Sequence, residues 1–138
     1  MTVLIDAPRA DVFRAWTDPD ELAQWWGPGA FTTPKATIDL RVGGRYELVM
    51  QPPGDAPPLL LAGEYREIDA PARLVYTWRW ESGVPDLRES LVTVEFKDLG
   101  TQTEVLLVHD RFGGPGPTME PYTTGWESGL EKLRARFE

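Results

Sequence analysis

Six strand-like segments in succession fill the chain between residues 36 and 110. Apolar and polar residues alternate in these segments, and short turn sequences separate them. The first two form a predicted hairpin, with one strand around Ala36–Leu40 and the next running through Met50. The other four read "LLLAGEYREI", "ARLVYTWRW", "SLVTVEFKD" and "TEVLLVHD". Strands joined by such short turns predict an antiparallel sheet.

Two short helices are predicted before this succession, directly after a first strand over Thr2–Ile5. We expect Asp6 to cap the first helix, Pro8 to lie in its first turn, and Thr17 to lie near its end. Asp18 then caps the second helix, since a proline follows it and a glutamate lies three residues further on, as in a capping box.

The second short helix runs into two adjacent tryptophans and a Gly-Pro-Gly sequence at residues 27–29, which is expected to end it. Adjacent residues on a helix point about 100° apart, so Trp25 and Trp26 cannot both face one core stripe. We therefore expect one indole in the core and the other at the surface or at an opening. The prediction is that Trp26 lines the mouth of a cavity.

One long helix is predicted at the C-terminal end, over Thr118–Phe137. Its apolar residues recur at steps of three and four and share one stripe: Tyr122, Trp126, Leu130, Leu133 and Phe137. Gly125 and Gly129 interrupt the helix, so we expect a sheet to press against them. Helices at the ends of a run of strands predict a single α+β domain over residues 1–138, with helices on one side of an antiparallel sheet.

Composition excludes several classes of protein. The chain has no cysteine, which excludes disulfides and thiolate zinc sites, and its formal charge of −8 disfavours nucleic acid and anionic membrane surfaces. No apolar run approaches the roughly 20 residues of a membrane span, so no membrane insertion is expected. The N-terminal residues contain no basic region followed by a cleavage site, which predicts a cytoplasmic protein.

The aromatic residues carry the main functional hypothesis. Strand alternation places many rings on one face of the sheet. Two interpretations stay open: the rings fill a packed core, or the sheet leaves a cavity for an apolar ligand beside the C-terminal helix. For the second interpretation, the candidate ligand-binding residues are Trp16, Trp26, Phe31, Tyr46, Met50, Tyr65, Tyr76, Trp78, Trp80, His109, Tyr122, Trp126 and Leu130. Interior tyrosine hydroxyls would each need a hydrogen-bond partner, which water or a polar ligand group supplies.

Catalytic chemistry has few candidates in this sequence. His109 is the only histidine, and Asp110 beside it points to the opposite face of the strand. One histidine without cysteine does not make a metal site, and the sequence has no phosphate-binding, dinucleotide-binding or serine-nucleophile motif. We therefore expect no catalytic residue, no metal and no cofactor.

Five stretches of the sequence resemble the homologues of the activator of the Hsp90 ATPase, a family within the START-like (SRPBCC) superfamily. They read "APRADVFRAWTDPDELAQWWGPGAF", "DLRVGGRYELVM", "GEYREIDAPARLVYTWRW", "VTVEF" and "TGWESGLEKL" and cover nearly the whole chain in this order. The motifs WTDP, WWGP, RVGG and GW are specific at these separations. The resemblance implies the helix-grip fold of the birch pollen allergen, in which a curved antiparallel sheet of six to seven strands wraps around a long C-terminal helix, with a cavity between them.

Three functions stay open under this resemblance. The first is a non-catalytic carrier or sensor that binds a lipid-like or polycyclic apolar molecule, as a monomer or homodimer. The second is an interaction module that modulates a chaperone ATPase, and the third is an enzyme of the cyclase or dehydratase kind. Relatives often carry histidine where this chain has Tyr122, and a tyrosine is a poor base near neutral pH, which weighs against the third.

Overall fold

A computed structural model describes residues 1–27, 29–82, 89–110 and 120–138, without the side chains of residues 82 and 120–124. The described strands are β1 (Thr2–Ile5), β2 (Thr32–Ile38), β3 (Arg45–Gln51), β4 (Leu59–Asp69), β5 (Arg73–Ser82), β6 (Ser90–Asp98) and β7 (Thr103–Asp110). The described helices are α1 (Arg9–Thr17), α2 (Pro19–Ala23) and α3 (Glu120–Arg136). This confirms the predicted order of one strand, two short helices, six strands and a C-terminal helix.

The strands form one antiparallel sheet in the order β1-β7-β6-β5-β4-β3-β2. From β2 to β7 each strand pairs with the next along the chain, and β1 pairs with β7 at the far edge. The pairing of β4 with β5 shifts register twice, between Leu60 and Leu61 and between Tyr65 and Glu67. Register shifts of this kind bend strands and increase their twist, which curves the sheet around its helices.

The middle of the sheet depends on a glycine in β4. A Cβ at Gly63 would overlap the carbonyl oxygen of Thr77 on β5, so only glycine allows the two strands to approach this closely. Tyr46, which pairs with Gly63 from β3, donates its hydroxyl to that same carbonyl at 2.6 Å. The Thr77 hydroxyl in turn accepts the backbone N–H of Glu64 at 2.8 Å. These bonds hold three central strands together where the ladder is irregular.

The inward faces predicted from strand alternation are confirmed. The inward rows of the sheet contain the buried side chains of Tyr46, Leu48, Met50, Leu61, Tyr65, Leu74, Tyr76, Trp78, Trp80, Val92, Val94, Phe96, Val105, Leu107 and His109, and Ala62, Val75 and Thr77 are buried on the opposite face. The helices contribute Val12, Phe13, Trp16, Leu22, Trp126, Leu130 and Leu133 to the same core. The described part of the α3 stripe, Trp126, Leu130 and Leu133, therefore faces the interior, as its spacing predicts.

The expected cap of α1 is wrong. Pro8 is the cap residue, in an extended conformation, and it provides no side-chain hydrogen bond. Asp6 lies two residues further back, beyond the reach of the first helical N–H groups.

The expected cap of α2 is confirmed, because the Asp18 carboxylate accepts the N–H groups of Asp20 and Glu21 at 2.9 and 3.2 Å. The reciprocal half of the capping box is not formed. The Asp18 N–H bonds to the carbonyl of Arg14 at the end of α1, so the Glu21 carboxylate is left for Arg136 of α3.

The two tryptophans after α2 are not on the helix. The helix ends at Ala23, and the N–H groups of Trp25 and Trp26 both bond to the carbonyl of Leu22 in the following turn. The turn directs both indoles inward, with only 1% of Trp25 and 5% of Trp26 exposed. The alternative of a surface indole is therefore wrong, since it assumed helical geometry, whereas Trp26 at the mouth of a cavity stays a prediction.

The glycines of α3 are not points of close packing. A Cβ built at Gly125 or at Gly129 has no heavy atom within 4 Å among the described residues. The expected pressure of a sheet against this face is therefore not found.

Candidate functional site

A cluster of indole rings lies between the sheet and the helices. Trp26 lies at the centre of this cluster, with ring centroids 5.4 Å from Trp25, 5.8 Å from Trp78 and 5.4 Å from Trp126. Trp16 of α1 stacks on Trp126 at 6.3 Å. These contacts agree with the first of the two interpretations, in which the rings fill a packed core.

A small cavity remains beside this cluster. It is lined by Trp16, Leu22, Trp26, Tyr46, Leu48, Tyr65 and Tyr76. The volume open to the centre of a water-sized sphere is about 10 Å³, which is room for about one water molecule. Five predicted ligand-binding residues meet here, and Leu22 and Leu48 complete the wall although the sequence analysis did not select them. The sequence could have indicated both leucines, because each belongs to an apolar pattern that faces the core.

The polar groups in the cavity wall differ in how they are satisfied. The Tyr46 hydroxyl donates to the Thr77 carbonyl, and the Tyr76 hydroxyl accepts the Trp16 indole N–H at 3.2 Å. By contrast, two donors of the wall find no acceptor among the described residues: the buried Trp26 Nε1–H and the hydroxyl of Tyr65, whose side chain is 4% exposed. Burial raises the pKa of all three tyrosines, so their hydroxyls stay protonated near neutral pH.

The other predicted residues with described side chains lie outside this cavity wall. Met50, Trp78, Trp80, His109, Trp126 and Leu130 are buried in the adjoining core, and Phe31 is partly buried against it. The side chain of Tyr122 falls outside the described residues.

His109 connects α3 to the sheet through a chain of hydrogen bonds. The Trp126 indole donates to His109 Nδ1 at 3.0 Å, and His109 Nε2 lies 2.7 Å from the Ser90 hydroxyl. An indole N–H only donates, so Nδ1 is the acceptor and neutral His109 carries its proton on Nε2. The Ser90 hydroxyl accepts a hydrogen bond from this Nε2–H and donates its own proton to the Trp78 carbonyl at 3.4 Å. Burial lowers the pKa of His109 to about 4, which keeps the ring neutral.

This arrangement is not a serine–histidine catalytic pair, despite the short distance. The lone pair of neutral His109 accepts the Trp126 N–H, and the nitrogen facing Ser90 already carries a proton, so the ring cannot take the Ser90 proton as a base. Ser90 was missed by the sequence analysis. Its contact with His109 depends on the register of β6 against β7, in which Val92 lies opposite His109.

A polar stripe on α3 holds the segment that follows α2. Ser128 accepts the N–H of Gly29 at 2.7 Å, and the Lys132 ammonium donates to the carbonyl of Gly27 at 2.6 Å. Arg136, one further helical turn along, binds the Glu21 carboxylate at 2.7 Å. Partial burial lowers the pKa of Lys132. Residues spaced by four thus tie α3 to both sides of the Trp25–Trp26 turn.

The described residues also bear on metal sites and membrane spans. Within these residues, no three histidine or carboxylate side chains are grouped so that they could hold a metal ion. No described helix combines the length and the apolar character needed to cross a bilayer.

The single antiparallel sheet, its C-terminal helix and the aromatic interior define a START-like protein of the helix-grip type. The model of the AHSA1 family, described as "Activator of Hsp90 ATPase homolog 1-like protein", matches residues 6–138, and the chain therefore belongs to this family. No curated protein sequence matches the chain.

Solved structures give the same fold. A protein of Chromobacterium violaceum shares 27% identity at a TM-score of 0.83, covering 100% of this chain and 94% of that one. CalU16 of Micromonospora echinospora shares 25% sequence identity at a TM-score of 0.69, and the match covers 99% of this chain and 72% of CalU16. A protein of Plasmodium falciparum described as an Hsp90 activator shares 24% sequence identity at a TM-score of 0.71, and the match covers 99% of this chain and 92% of that one. At this level of identity the likeness shows the fold alone.

Proposed function

We propose that the chain binds a mostly apolar small molecule between the sheet and the helices, as a carrier or sensor. The observation that carries this proposal is the cavity beside Trp26, whose seven wall residues include five with aromatic rings. Small-molecule sites are typically concave, mainly apolar and aromatic, with a few polar groups that orient the ligand. The cavity has this composition.

The size of the cavity bears on the ligand. Room for about one water means that a larger ligand enters only if wall side chains move. Burial of about 300 Å² of apolar ligand surface would provide ~7.5 kcal/mol at ~25 cal/mol/Å², and association costs at least ~4 kcal/mol. The remaining ~3.5 kcal/mol corresponds to millimolar binding. A lipid-like or polycyclic ligand, which buries more surface, is therefore favoured over a very small one.

The wall formed by Leu22 and Trp26 is the part that can adjust. Helix α2 has only five residues, and Trp26 lies in the turn beyond its end. The opposite wall belongs to β3, β4 and β5, which are paired on both sides within the sheet. We expect a ligand to displace the α2 side and leave the strands in place.

The experiment is a titration with N-phenyl-1-naphthylamine, a neutral probe that fluoresces in apolar sites. We expect saturable binding of one probe per chain, at least about tenfold weaker in Leu22→Phe, because the larger ring fills the cavity. Leu133→Phe is the matched control, since Leu133 is a buried leucine of α3 that does not line the cavity. Thermal unfolding first verifies that both variants fold. No saturable binding, or equal weakening in both variants, would overturn the proposal. Fatty acids and polycyclic compounds that displace the probe would then define the ligand class.

The family match favours a second candidate, an interaction module that modulates a chaperone ATPase. The similar structure described as an Hsp90 activator fits this candidate as well. It is tested by adding the purified chain to Hsp90 and measuring the rate of ATP hydrolysis. Stimulation in the absence of any small molecule would favour this function over the carrier.

A further inference from the structure

Two side chains that line the cavity carry hydrogen-bond donors that no described residue accepts. One is the buried Trp26 Nε1–H, which has no acceptor among the described residues. The other is the Tyr65 hydroxyl, which makes no hydrogen bond with any described residue although the side chain is only 4% exposed. A buried donor without an acceptor costs free energy, so such groups are rare in folded proteins.

Two other polar groups of the wall take part in hydrogen bonds within the protein. The Tyr46 hydroxyl donates to the Thr77 carbonyl, and the Trp16 N–H donates to the Tyr76 hydroxyl. An indole N–H can only donate, so a ligand group that bonds to Trp26 must be an acceptor, and the cavity has room for about one such atom.

The charge of the surroundings selects among possible acceptors. None of the seven wall residues is charged. The guanidinium of Arg45, next to Tyr46 in the chain, points to the exposed face and binds the carboxylates of Glu47 and Glu81 at 2.9 and 2.7 Å. A carboxylate ligand would lose its hydration without gaining a cation, whereas a neutral carbonyl oxygen accepts two hydrogen bonds at little desolvation cost.

From these observations, and resting on the proposed function, we infer that the ligand is a neutral carbonyl compound whose oxygen accepts hydrogen bonds from Trp26 Nε1–H and the Tyr65 hydroxyl. The rings of the wall contact its apolar body. Ketones, esters and lactones belong to this class, and free fatty acids in their ionised form do not.

The test compares two probes of nearly equal shape, 1-indanone and indane, which differ by one carbonyl group. Their binding is followed by the tryptophan indole signals in ¹H–¹⁵N NMR spectra of the full chain. We expect 1-indanone to bind at least about tenfold more tightly than indane, because only the ketone satisfies the buried donors.

Three variants test which donors cause the tighter binding of 1-indanone. Trp26→Phe and Tyr65→Phe each keep a ring but remove one donor, and each should reduce the preference to about threefold or less. Trp25→Phe is the control, because the Trp25 N–H already donates to the Ala15 carbonyl at 2.9 Å and the residue does not line the cavity. Tyr65→Phe removes no intramolecular hydrogen bond, so it keeps the test decisive even if a tryptophan variant fails to fold.

The outcomes separate this inference from the proposed function. Equal binding of 1-indanone and indane, or a preference unchanged in Tyr65→Phe, would overturn the carbonyl inference and leave apolar binding intact. If neither probe binds up to its solubility and N-phenyl-1-naphthylamine does not bind either, both proposals are overturned.

Discussion

We expect the fold to lose stability in mildly acidic solution because His109 is buried in its neutral form. Burial lowers the pKa of this ring from 6.5 to about 4. The unfolded chain therefore takes up a proton below about pH 6.5, whereas the folded chain does so only near about pH 4. The contribution of His109 is fully present above about pH 6.5 and is lost as the pH falls through this window.

The size of the effect follows from the gap between the two pKa values. The loss in the free energy of unfolding is about 3 kcal/mol once the pH is below about 4, and about 2 kcal/mol at about pH 5. The geometry explains why the fold resists protonation. A proton on Nδ1 would break the bond from the Trp126 indole, which has no lone pair to offer in return.

The perturbation is His109→Gln, whose amide offers an acceptor toward Trp126 and a donor toward Ser90 but does not titrate. Urea unfolding of both proteins is followed by tryptophan fluorescence at about pH 7 and about pH 5. Subtracting one protein from the other removes the titration of the acidic side chains, which both share. We expect the wild type to lose about 2 kcal/mol more than the variant between these conditions. Equal losses would refute the neutral, buried state of His109.

Three further substitutions test the packing. Gly63→Ala should lower the free energy of unfolding by about 3 kcal/mol or more, since its Cβ would overlap the Thr77 carbonyl; a neutral result in urea unfolding would contradict this contact. Gly129→Ala should raise stability by up to about 1 kcal/mol, because alanine favours the helix and the described surroundings leave the methyl group room; an unchanged or lower Tm by calorimetry would argue against it. Tyr46→Phe should cost about 1–2 kcal/mol through the lost bond to Thr77, whereas Tyr65→Phe should stay within about 0.5 kcal/mol; equal costs in the two variants would contradict the assigned hydrogen bonds.

Local pattern predicted the elements of this fold well, and it did so for a physical reason. Strand alternation depends only on which side chains face the core, so it correctly predicted that many aromatic rings share the inward face of the sheet. The cap at Asp18 was predictable because the hydrogen bonds of a cap are local in sequence.

The candidate site was only partly predictable, because its geometry depends on turns and register. The end of α2 at Ala23 places both adjacent indoles inside, which helical spacing did not predict. The contact of Ser90 with His109 depends on how β6 and β7 pair, and the bond from Tyr46 to Thr77 depends on close approach at Gly63. Such contacts join residues distant in sequence, and no local pattern encodes them.

A ligand site at this cavity is tested by following the six tryptophan indole signals while 1-indanone is added to ¹⁵N-labelled protein. The Trp26 signal is assigned by its absence in Trp26→Phe. We expect this signal to shift and saturate, together with that of Trp16, while the signal of Trp80, which does not line the cavity, moves little. Saturable binding that leaves the Trp26 signal in place, or no shift in any indole signal, would contradict a ligand site at this cavity.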